Sequence, residues 1–295
     1  MSATSIRQTG CAIALLALLA ACSGGGGGGG GMTTAPMTPA PVPVGTTITT
    51  PGVADYVTDH NGFTRARISS STPADMAILQ QFDDANPANP AGYRNLIALT
   101  EKRYTDNMQL EVIAEVASAA GGGEQVVRVL RLTADQAPFK NLDSNNNLIA
   151  KGEFFFRGSA EVYAMVDGGA LQRGIGDLEN MVVNFDTQTV SINLRTPFNP
   201  AAGSGIETEM VAANIPLNVV TGSFGGPVAL QTRSATTGEV LTSTGTLRGN
   251  LNGDEAGLSR LVENMTTSGL FSVGQTGERM TAQGIFWGSQ LNYGQ

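Results

Sequence analysis

Histidine is nearly missing from this sequence: His60 stands alone among 295 residues, close to a proline-rich stretch where a solvated surface position is expected. Cysteine is as scarce, with only Cys11 and Cys22, so a disulfide framework is excluded. With no thiol left free in the mature chain, as argued below, Ser-His-Asp and Cys-His catalysis and histidine-rich zinc or haem sites have no residues to be built from. Basic residues are outnumbered, giving a net charge of -8 and a pI near 4.7. That balance speaks against nucleic acid as a partner and against electrostatic attachment to anionic lipid. No apolar run after the first twenty residues approaches the length needed to span a bilayer.

What is present begins at the N-terminus. Arg7 precedes the apolar run Cys11 to Leu19, which has the length of a secretory core and is too short to span. Leu19-Ala20-Ala21-Cys22 follows, and this string matches the bacterial lipoprotein cleavage motif, in which the cysteine is lipidated and becomes the new N-terminus. Residues 1-21 are therefore read as a lipoprotein signal peptide and Cys22 as the lipidation site. Each buried methylene of an acyl chain contributes about 0.8 kcal/mol, so a multiply acylated cysteine anchors without spanning. Ser23, rather than aspartate, follows the cysteine, which predicts the outer membrane. Gly24 to Gly31 have no side chains to bury and the largest backbone entropy to lose. Pro36, Pro39, Pro41, Pro43 and Pro51 then favour extended chain. Residues 22-54 are thus expected to form a lipidated, disordered tether.

The remainder alternates with period two. Ala160, Val162, Ala164 and Val166 interleave with Glu161, Tyr163 and Met165. Val190, Ile192 and Leu194 resume the alternation of Val183 and Phe185 after the polar turn Asp186 to Thr189, and strands at 110–116 and 126–132 flank Gly121 to Gly123. Further strands are predicted at 62–69, 153–158, 207–215, 218–224, 227–234, 239–250, 269–273 and 279–287. One helix is expected after Thr72, with Met76, Leu79 and Phe82 on a shared face, and a short helical turn at 258–263. Gly168-Gly169 and Gly174-Ile175-Gly176 lack the order of a nucleotide-binding fingerprint and read as loop. The class is all-β, with a β-rich region over 55-150 preceding a closed barrel over 151-295. The closure follows from glycines two or four apart in strands, at Gly245, Gly249 and Gly253 and at Gly284 and Gly288, where a sheet bends sharply or a bulky neighbour lies over bare backbone.

These residues carry a resemblance. Gly249-Asn-Leu251-Asn-Gly253, Gly284-Ile-Phe286-Trp-Gly288 and Gly152-Glu-Phe-Phe-Phe-Arg157-Gly158 resemble the barrel strands of the transferrin-binding protein B and factor H-binding protein group of surface lipoproteins. The lipidated cysteine and polyglycine tract belong to the same likeness, which covers the anchor and about residues 150 to 290. It implies an antiparallel eight-stranded barrel, and a function of binding a protein or solute ligand at the cell surface, in nutrient (iron or haem) acquisition or host interaction. Leu251 replaces the motif's aromatic residue, and the chain has one barrel in place of two lobes. Eight strands leave an interior just wide enough for side chains, so binding is expected on the rim or outer face.

Asp143-Ser-Asn145-Asn-Asn147 begins like a calcium loop, but Leu148 stands where the glycine belongs and Phe154 where the bidentate glutamate belongs, so it reads as a polar turn. Asp83-Asp84 and Asp254-Glu255 sit in segments that read as solvated turns, which leaves an acid-base enzyme without a site. Phe286 and Trp287 face opposite sides of their strand, with Phe286 expected inside and Trp287 covered by a neighbouring element. Tyr163 and Met165 share a face, so Tyr163, Met165 and Trp287 are the candidate partner contacts wherever that face is bare. The expectation is a monomeric, non-enzymatic binding lipoprotein with no cofactor. Its rivals are a structural envelope-associated lipoprotein and a hydrolase working with carboxylates alone.

Overall fold

A computed structural model describes residues 54–58, 64–70, 72–84, 93–99, 109–119, 122–135, 139, 141–234, 237–252, 265–275 and 277–291. The signal peptide, Cys22, the tether, His60, the helical turn at 258–263 and the Asp254-Glu255 pair lie outside the described residues, as do the side chains of Asp83 and Asp84.

Eight strands form a closed antiparallel barrel: β6 (Glu153–Val166), β7 (Gln172–Asn184), β8 (Thr189–Thr196), β9 (Thr208–Pro216), β10 (Ser223–Arg233), β11 (Val240–Asn252), β12 (Thr266–Val273) and β13 (Met280–Gln290). Each pairs with the next in sequence, and β13 returns to pair with β6 from Met280↔Val166 to Gln290↔Phe156. The alternation read from the sequence decides which face is which. Phe156, Ala160, Val162 and Ala164 of β6 point inward and are fully buried, while Asp177, Glu179, Arg195 and Glu209 stand exposed on the outside of β7, β8 and β9. An apolar interior with charges outside is the reverse of a barrel that faces lipid.

Three phenylalanines fill much of that interior, and each lies directly across from a glycine on the neighbouring strand. Phe224 opposes Gly249, Phe271 opposes Gly284 and Phe286 opposes Gly269. A Cβ at any of these glycines would come within 2.2 or 2.3 Å of the opposing ring's Cζ, far inside van der Waals contact. The missing side chain is therefore the space that the ring occupies. One end of the barrel is covered by Phe139 and residues 141–152. Phe139 stacks on Phe185 with centroids 6.2 Å apart, and the buried Asn141 amide donates to Val219 O at 2.8 Å and accepts from Ala150 N at 2.6 Å.

The remaining strands form a five-stranded antiparallel sheet in the order β1-β2-β5-β4-β3, built from β1 (Ala54–Thr58), β2 (Thr64–Ser69), β3 (Tyr93–Leu99), β4 (Gln109–Ser118) and β5 (Glu124–Asp135). One face, with Ala66, Leu110, Val112, Ala114 and Leu132, packs onto Tyr163, Leu270 and Ile285 on the outside of the barrel. Tyr163, Leu270 and Ile285 are consequently buried although they point away from the barrel interior. The other sheet face holds Ile113 and Leu130 against Leu79 and Phe82 of α1 (Pro73–Asp84).

Several expectations require correction. Met76 is 56% exposed and does not share the buried face of α1. The buried stripe is Asp75, Ile78, Leu79 and Phe82, because Asp75 accepts from Ser70 Oγ at 2.5 Å and ion-pairs with Arg128 of the sheet, which fixes the rotation of the helix. Thr72 Oγ1 accepts from Asp75 N at 3.3 Å as the N-cap, and Pro73 occupies the first helical position. Residues 218–222 are not strand but the β9–β10 turn, in which Asn218 Oδ1 accepts from Val220 N and Thr221 N. Gly174 and Gly176 are not loop but lie within β7, where Gly176 lets the backbone of β8 approach. The two strands predicted over 153–166 are one. β1 and β3 had no counterpart in the sequence reading.

Gly269→Ala and Gly284→Ala should each lower unfolding free energy by about 1–3 kcal/mol, since the ring opposite must leave its rotamer. Gly226→Ala, whose new Cβ would meet Pro216 Cδ at 3.5 Å, should stay within about 0.5 kcal/mol. Urea denaturation of the three variants measures the contrast.

Candidate functional site

Two register breaks between β4 and β5 shape the site. Ile113 pairs with Arg131 but Ala114 with Val129, and Glu115 pairs with Arg128 but Val116 with Val126, so Leu130 and Val127 drop out of the ladder. Leu130 enters the core under α1, whereas Val127 is left 47% exposed. Beside the exposed Val127 a cleft of about 830 Å³ opens, lined also by Val129 and, on its other side, by Tyr163, Met165 and Leu171. Met165 is 40% exposed, so apolar side chains from two separate elements meet at one accessible place.

The polar lining comes from two turns at one end of the barrel. Asp167 and Gly168 both have positive φ, 51° and 67°, and Gly169 N donates to Val166 O at 2.9 Å, which is the Asp-Gly type I′ hairpin between β6 and β7. Arg279, from the β12–β13 turn, donates from Nε to Asp167 Oδ1 at 2.7 Å and from a terminal nitrogen to Glu239 Oε2 at 2.9 Å. Ser234 Oγ donates to Asp167 Oδ2 at 3.0 Å, so three turns are joined through one carboxylate and one guanidinium. The Arg279 hydrogen bond, helped by Ser234, holds the Asp167 carboxyl below its ordinary value of 3.8, and the same contact raises Arg279.

Behind the cleft, Tyr163 is only 2% exposed. Its hydroxyl donates to Glu161 Oε2 at 2.5 Å, and Arg173 donates to Glu161 Oε1 at 2.6 Å. Burial would lower the Arg173 guanidinium, but its bonds to Glu161 outweigh this and raise it. The Glu161–Arg173 pair fixes the polar end of Tyr163 and leaves the ring for packing.

Of the three residues singled out from the sequence, Tyr163 and Met165 meet in the cleft lining. Trp287 does not: it lies partly buried between the barrel and the sheet, while Phe286 fills the interior. Asp143 Oδ1 accepts from Asn145 N and Asn147 N, both at 2.8 Å, so the segment that begins like a calcium loop spends this oxygen on its own backbone. A second hollow of about 560 Å³ lies at the β7 bulge between Asp177, Glu179 and Asn180, without the apolar lining of the first. Among the described residues no three of His, Cys, Asp and Glu are grouped to hold a metal ion. Sequence reasoning missed Val127, Asp167, Glu278 and Arg279. The doubled Val126-Val127 that interrupts alternation and the Asp-Gly dipeptide are the traces they leave.

No family model matches the chain. No curated protein matches it either. Solved structures of transferrin-binding protein B do align with it. A single mutant of the Haemophilus parasuis vaccine antigen of that name gives a TM-score of 0.39 at 9% identity, covering 70% of this chain and 39% of that one. A double mutant of the same antigen gives 0.37 at 10% identity over 80% and 36%, and an intact Ap transferrin-binding protein B with N and C lobes gives 0.37 at 11% identity over 69% and 39%. The chain spans about two fifths of the length of these structures. Its barrel rests on its own strand register and not on these superpositions.

Because the native Asp167 carboxyl titrates below 3.8, the Asp167–Arg279 bond contributes fully above that pH, weakens as pH falls and is lost below the native value. Carboxyl carbon NMR between about pH 2 and 6 should place the Asp167 midpoint below 3.8 in the parent chain and nearer 3.8 in Arg279→Met.

Proposed function

We propose that this chain is a non-enzymatic, monomeric lipoprotein, held in a bacterial outer membrane by acyl chains on Cys22, that binds a ligand in the cleft between β5 and the barrel. The observation that carries the binding role is the exposure of Val127 and Met165 from two different elements within one cleft. Leaving two large apolar side chains in water opposes folding, and a ligand covering both recovers that free energy. The barrel interior is filled by side chains, so the outer face is where such a ligand fits. The anchor follows from Leu19-Ala20-Ala21-Cys22, and the glycine- and proline-rich stretch behind it gives the folded part reach from the membrane. The likeness of the glycine-aromatic strands to surface lipoproteins extends the proposal to nutrient capture, of iron or haem sources, or host contact at the cell surface.

Labelled palmitate supplied to bacteria expressing the chain should enter it and be absent from Cys22→Ser; a parent chain without label overturns the anchor. Protease added to intact cells should remove the folded part, and full protection places it on the periplasmic face and overturns surface display.

A further inference from the structure

The charges around the cleft select among ligands. Arg128, Asp167, Glu278 and Arg279 are its charged lining residues. Each guanidinium is shared between two carboxylates, Arg128 with Asp75 and Glu115, and Arg279 with Asp167 and Glu239. Glu278 is exposed and ion-pairs with no other described residue. The charged lining itself balances, two guanidinium groups against Asp167 and Glu278, but Glu115, Glu239 and the buried Asp75 stand behind the guanidinium groups, so five carboxylates face two cations around an apolar lining of Val127, Val129, Met165 and Leu171. A carboxylate or phosphate entering here meets repulsion with no free cation to receive it, whereas a cation meets Glu278 and the outer oxygens of two shared pairs. The volume of about 830 Å³ lies in the range of small-molecule sites.

We infer that the cleft takes a small amphipathic cation, an apolar body bearing an ammonium or guanidinium group, with the apolar part against Val127 and Met165 and the charge toward Glu278. The inference rests on the cleft being a ligand site and adds its selectivity. The same field turns away fatty acids and other carboxylate-bearing amphiphiles. The ion pairs that create it are half exposed, so the preference weakens as salt screens them.

Calorimetric titration of the full chain with octylamine, octanol and octanoate, each below its micelle concentration, tests this with one apolar body and three charges. Octylammonium should bind about tenfold more tightly than octanoate, with octanol between, and the ratio should shrink at about 0.5 M salt. Glu278→Gln should reduce the octylammonium affinity several-fold and leave octanol unchanged. The double variant Val127→Asn, Met165→Gln should weaken all three. Equal affinities that still fall in the double variant overturn the charge selectivity and leave the cleft a binding site. If none of the three binds, or the double variant changes nothing, the site and the inference fall together.

Discussion

Steric exchange between phenylalanine and glycine on adjacent strands governs this molecule. Where Phe224, Phe271 and Phe286 lean across the barrel, Gly249, Gly284 and Gly269 supply the space, and no other residue could stand opposite without moving the ring. The exchange lets eight strands close around an interior filled by apolar side chains. A filled interior in turn moves recognition to the outside. The outside is charged on β7, β8 and β9, and the five-stranded sheet docks where Tyr163, Leu270 and Ile285 of β6, β12 and β13 present apolar side chains.

Docking of a sheet whose register slips twice leaves the cleft. Had β4 and β5 kept a continuous ladder, every second residue of β5 would have faced the barrel, and Val127 would hold a regular ladder position. The break that exposes Val127 precedes Arg128, which reaches Glu115 on the neighbouring strand and Asp75 on α1. Helix placement, sheet irregularity and cleft therefore share one short stretch of β5. At the opposite wall, Asp167 holds Arg279, and through it Glu239, so the turns around the cleft are positioned before any ligand arrives.

Much of the fold was legible because its determinants are local. Alternation over 160–166 and 190–194 separated the two faces of each strand, the glycine-aromatic strands pointed to closure, and Thr72, Pro73 and Asp75 marked the helix start. Local reading failed where tertiary contacts override it. The bulge at Glu179-Asn180 changes the parity of β7, so Leu178 and Met181 both face inward although they are an odd number apart. Met76 has the right spacing for the buried face, yet the tie of Asp75 to Arg128 turns it to water. Of the cleft lining, only Met165 and the buried Tyr163 had been singled out from the sequence. Asp167 and Arg279 lie 112 positions apart, and nothing in either neighbourhood announces the other.

The pairing of β13 with β6 has a kinetic side. Every other strand pair in the barrel joins sequence neighbours, but this one joins the first strand to the last, so β6 keeps one edge unsatisfied until β13 has been synthesised. The sheet that precedes the barrel leans against this same junction through Tyr163 and Ile285. Synthesised earlier, its strands are at hand to cover the outer side of β6 while the open edge waits, which lowers the chance that two half-made chains zip together.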